Sequence, residues 1–130
     1  MTVPAEAAAW LAKADHDVLN IENNLASALV PWDTVCFHAQ QAVEETLKAY
    51  LILQAQVPPR THDLGALLDQ CAAFDPALTD LRADCDALAG AAVLVRYPDD
   101  LLEPDEAATQ PLLASMRRVL DAIAVRLGAL

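Results

Sequence analysis

Hydrophobic positions recur at three- and four-residue steps along almost the whole chain, the period of an α-helix with one buried face. Between about Pro4 and Leu29, the set Ala7, Leu11, Ala14, Val18, Ile21, Leu25 and Leu29 traces one such stripe. Pro4 suits the first turn, and Val30-Pro31 closes the helix. A second helix is predicted from Trp32 or Asp33 to about Ala55, with Val35, Ala39, Ala42, Val43, Thr46, Leu47, Tyr50 and Leu53 on its core face. Asp33 or Thr34 can accept from the free amides at its start. Val57-Pro58-Pro59-Arg60 is a stiff, extended connector.

A short third helix begins near Thr61-His62-Asp63 and carries Leu64, Leu67, Leu68 and Cys71. The fourth is predicted to start at Phe74-Asp75-Pro76, with Asp75 as cap and Pro76 as first residue. Its stripe is Leu78, Leu81, Cys85, Leu88, Ala92 and Val95, and Pro98 ends it near Val95 or Arg96. Glu103-Pro104-Asp105-Glu106 places proline and carboxylates at the start of the last helix, which buries Leu112, Met116, Val119, Leu120, Ile123 and Leu127. Four long helices and one short one, joined by short links, predict an all-α, up-and-down helical bundle over residues 1–130, one domain.

Composition agrees. The chain is 55% hydrophobic, much of it alanine and leucine, and only 5% aromatic, a helix-forming balance with few β-branched runs. It has no apolar stretch of the ~20 residues that span a bilayer and no signal-peptide start, so the expected location is cytoplasmic. The formal net charge is −11 with only eight Lys and Arg, which disfavours broad contact with a phosphate backbone. Cys36, Cys71 and Cys85 form no metal-type pair and are odd in number, so they read as buried apolar residues. Gly65, Gly90 and Gly128 are isolated, so there is no phosphate-binding loop, and no zinc-protease or nucleophile-elbow motif occurs. No cofactor or metal is implied.

Four sets of residues stand out. Arg96 continues the core stripe of the fourth helix, where a permanently charged group needs a carboxylate or a bound anion. Capping of the helix end with Asp99, and binding of a phosphate, both fit. On the second helix, His38, Gln41 and Glu45 form a strip beside the core face, with Lys48 a little further round. This is one wall of a polar groove, or an ordinary solvated flank with Glu44 and Lys48 as an i,i+4 pair. Phe37 and Leu51, with Trp32 near them, lie opposite the core stripe, which suggests that this helix is covered on both sides by the third helix or by another subunit. His62 fits a helix start capped by Thr61 or Asp63.

The segments Cys36-Phe37-His38-Ala39-Gln40-Gln41-Ala42-Val43-Glu44-Glu45-Thr46-Leu47-Lys48-Ala49-Tyr50, Pro59-Arg60-Thr61-His62-Asp63-Leu64 and Arg96-Tyr97-Pro98-Asp99 occur in that order, after a helix containing Trp10-Leu11-Ala12-Lys13-Ala14-Asp15-His16-Asp17. Together they resemble the HEPN family of small helical domains. The resemblance implies a bundle of four long helices and a short one, usually a homodimer, with the Arg96 turn facing a cleft between subunits. Many HEPN proteins are metal-independent ribonucleases in toxin–antitoxin pairs, and others act with a small nucleotidyltransferase. The family's ribonuclease motif is an arginine followed four to six residues later by histidine.

Arg96 matches that arginine, but the chain continues Tyr97-Pro98-Asp99-Asp100-Leu101-Leu102-Glu103, without a histidine. Cleaving RNA by this route needs a group that manages the 2′-hydroxyl or leaving-group proton. The expectation is therefore a homodimeric HEPN-like binding module that acts with a nucleotidyltransferase-type partner. A nucleotide or other anion would lie against Arg96, Tyr97 and Asp99, with His38, Gln41, Glu45 and Lys48 as the second wall. The alternative is an endoribonuclease toxin with a degenerate motif.

Overall fold

A computed structural model describes residues 3–95 and 104–128. Five α-helices run in order: α1 Ala5–Leu25, α2 Trp32–Leu53, α3 Leu64–Ala72, α4 Arg82–Val95 and α5 Glu106–Gly128. A 3₁₀ helix, Pro76–Leu81, leads into α4. Among the described residues there is no strand, so the all-α bundle stands.

α2 is the axis of the molecule. α1, α3, α4 and α5 all pack against it, whereas the backbone of α1 approaches no other helix among the described residues. Val35, Ala39, Val43 and Leu47 form the predicted core face of α2, all fully buried. They join Leu64, Leu67, Leu68 and Cys71 of α3, Leu78 and Leu81, Cys85 and Leu88 of α4, and Met116, Val119 and Ile123 of α5. Leu51, on the opposite side of α2, is equally buried in this core. The inference of cover on both sides therefore holds at Leu51, while Phe37 remains 41% exposed.

Helix starts follow local chemistry. Asp63, Asp75 and Asp105 accept from the amides of Ala66, Ala77 and Ala108 at 3.1, 3.1 and 2.8 Å, each satisfying a donor that helix geometry leaves free. Four expectations shift. Pro4 caps α1 from outside, not within its first turn. α1 ends at Leu25, four residues early, and Leu29 is 89% exposed, not on the core stripe. α2 has Pro31 as its cap and no side-chain cap; the Asp33 carboxylate accepts only from the adjacent Thr34 amide. The predicted fourth helix divides: Pro76–Leu81, with the Thr79 hydroxyl bonded to the Pro76 carbonyl, winds as a tighter 3₁₀ segment before α4.

The three cysteines are buried, as expected. Cys36 Sγ lies 3.4 Å from the Thr109 hydroxyl, and Cys71 donates to the Leu47 carbonyl at 3.6 Å. Burial pushes Cys71 and Cys85 up to about 12, so both stay protonated thiols at neutral pH. No described helix is long and apolar enough to cross a membrane.

Candidate functional site

The polar strip of α2 is not a solvated flank. Glu44, Glu45 and Lys48 are 3%, 6% and 6% exposed, because α1 and the segment before α3 cover them. Charged groups at that depth need partners. One oxygen of Glu44 takes Lys48 Nζ at 3.0 Å and the other takes His62 Nδ1 at 2.8 Å. Lys48 Nζ also lies 5.1 Å from the centroid of the Trp10 ring, which Lys13 Nζ approaches at 5.3 Å. Gln40 donates to the His62 carbonyl at 3.3 Å, so the segment before α3 is tied to α2 twice.

About two turns towards the N-terminus of α2, His38 Nδ1 lies 2.6 Å from the Asp17 carboxylate of α1. Asp17 also faces Glu45, whose Oε2 is buried with no hydrogen-bond partner. The Glu45 carboxyl is pushed up to about 9, by burial first and then by the hydrogen bond and charge of Asp17. The Glu44 charge adds to this, and Lys13 opposes it.

Of the predicted site residues, the structure links His38 and Glu45 through Asp17, and seats Lys48 against Glu44 and Trp10. Gln41 is half-buried and makes no side-chain hydrogen bond among the described residues. Arg96, Tyr97 and Asp99 lie outside the described residues, as do the side chains of Ala92 and Val95. A groove of about 170 Å³ opens between α1, α2 and α5, lined by Leu11, Ala14, Thr46, Leu120 and Ala124 among others. None of the predicted site residues lines it.

Asp17 and Trp10 are participants that residue type and spacing on α2 alone do not single out. They come from α1, and reach α2 because a short link makes the two helices antiparallel neighbours. Residues at similar distances from that link then meet, Asp17 with His38 and Trp10 with Lys48. The signal is available only when the chain is folded back at Pro31. His62, expected as a local cap residue, is also part of the network through Glu44.

A family model for the HEPN domain matches residues 7–126. No curated protein matches the sequence. Among solved structures, the crystal structure of TT1696 from Thermus thermophilus has the same fold, with a TM-score of 0.74 and 24% identity over 93% of this chain and 98% of that one.

Proposed function

Because the chain belongs to the HEPN domain family, we propose that it is a binding module: a homodimer that holds a nucleotide or another anion at Arg96, Tyr97 and Asp99. In this reading it acts beside a nucleotidyltransferase-type partner, in a toxin–antitoxin-like pair. The observation that carries it is the run from Arg96 to Glu103, which keeps the family's arginine and lacks its histidine.

Of the chain's three histidines, His62 is bonded to Glu44, and His38 is held by Asp17 through Nδ1 alone. The third, His16, lies on an exposed face of α1. A net charge of −11 also favours a small anion held at one arginine over a long nucleic-acid backbone. Lys48 is already neutralised by Glu44, so the phosphate would rest on Arg96, and His38 and Gln41 would serve as hydrogen-bonding groups. Phe37, a large apolar side chain exposed on α2, supports coverage by a second copy.

Calorimetry with nucleoside mono- and triphosphates tests the reading. Heat of binding is expected with the wild-type chain, weakened at least tenfold in Arg96→Ala, since losing a charge-assisted contact costs on the order of 1.5–3 kcal/mol. No heat, or heat unchanged by the substitution, removes the nucleotide from the proposal. Growth arrest with RNA cleavage on expression, both lost in Arg96→Ala, would instead mark a ribonuclease toxin.

A further inference from the structure

The Asp17–His38–Glu45 cluster has a direction that its geometry sets. The Glu45 carboxyl faces Asp17 and is buried with its Oε2 unpartnered, and two facing carboxyls at that depth are not both ionised but keep a proton. That proton belongs on Glu45. It is the more deeply buried of the two, and its Oε2 has no partner, a position tolerable for the carbonyl of a neutral acid and costly for a carboxylate oxygen. Asp17 is then the ionised acceptor of His38 Nδ1–H at 2.6 Å, with the neutral Glu45 carboxyl beside it. Lys13 from α1 favours charge on this cluster and Glu44 from α2 disfavours a second one. The His38 ring is 21% exposed, and its Nε2 has no hydrogen-bond partner among the described residues.

We propose that Asp17, backed by neutral Glu45, holds His38 in its Nδ1–H tautomer, so that Nε2 is a preset acceptor for a hydroxyl or amino group of a bound ligand. The ribose hydroxyls of a nucleotide are the class that fits, and this ligand half rests on the nucleotide reading above; the tautomer half does not. Asp17 is a positioning residue, as a carboxylate behind an imidazole commonly is, since it decides which ring nitrogen keeps the proton. Sequence spacing on α2 marks His38 and Glu45, but the group that orients them is on another helix.

Nitrogen-15 imidazole spectra of the full chain near neutral pH test the tautomer. Nδ1 is expected to be protonated and Nε2 bare. Glu45→Gln, whose amide can also donate to Asp17, is expected to keep this pattern. Asp17→Asn, whose amide can donate to Nδ1, is expected to move the proton to Nε2. An Nε2–H tautomer in the wild-type chain overturns the proposal without any variant having to fold. Adenosine 5′-monophosphate then tests the ligand half: its addition should shift the Nε2 resonance, and His38→Gln should weaken its binding about tenfold. Binding that leaves Nε2 unmoved overturns the ligand half and leaves the nucleotide reading intact. Absence of any binding by the nucleotide sinks that reading and the ligand half together, while the tautomer result stands on its own.

Discussion

Glu45 makes the stability of the protein depend on pH in an unusual direction for a carboxyl. In the unfolded chain it releases its proton near 4.5, and in the folded chain only near 9. A folded-state value above the unfolded one means that the stabilisation is complete below about 4.5 and is lost as pH rises towards 9, at up to ~1.4 kcal/mol per pH unit. Asp84 works the other way. Burial pushes its carboxyl up, but the hydrogen bonds from Arg118 and Ser115, and the Arg118 charge, outweigh burial and leave it below 3.8. Its contribution is present above that value and lost as pH falls through the lower folded one. Chemical denaturation of the wild-type chain between pH 6 and pH 9 should therefore show a steady decline, and Glu45→Gln should flatten it. An identical slope in the variant would show that Glu45 is not carrying a proton in the native state.

At the scale of single elements, the C-terminus of α2 is closed by an alanine where glycine is usual. Ala55 has φ of 59°, in the left-handed region. Its amide bonds to the Ile52 carbonyl at 2.9 Å and the Gln56 amide to the Leu51 carbonyl at 3.0 Å, the paired pattern that satisfies a helix's last carbonyls. Relief of the side-chain clash outweighs the added freedom of the unfolded chain, so Ala55→Gly is expected to stabilise the protein by about 0.5–1 kcal/mol. A thermal midpoint that is unchanged or lower would count against this account. Much of the element pattern is legible in the sequence because its causes are local. The apolar period marks a helix wherever one face is buried, and Asp63 and Asp75 cap because their own amide neighbours are within reach. Leu29 departs from expectation for the complementary reason: the period continues past a helix end that Pro31 and the return of the chain determine. The burial of Glu44, Glu45 and Lys48 is equally invisible from α2 alone, since it depends on which residues of α1 face them.

For the molecule as a whole, the arrangement is a core of α2, α3, α4 and α5, with α1 laid along one side. α1 contributes the buried side chains Ala7, Ala14 and Ile21, two of them small, with Val18 and Leu25 half-buried against the core and Asp17 and Trp10 as polar and aromatic attachments to α2. A helix held along one seam opens at lower cost than one enclosed on several sides. Native-state hydrogen exchange should find the amides of α1 exchanging as a unit before those of α2, and Asp17→Ala should widen the difference. Equal protection of the two helices would mean that the molecule opens only globally.

The same one-sided attachment matters while the chain is being made. α1 leaves the ribosome before the other described helices, and its helix partner follows directly as α2. Asp17, His38, Glu45, Lys48 and Trp10 all belong to the first 50 residues, so this hairpin can seal its polar seam before α3 exists. The other side of α2 has no such early cover. Its leucines and valines are covered only as α3, α4 and finally α5 follow, which makes the nascent two-helix stage the point at which the chain most needs protection from sticking to its neighbours.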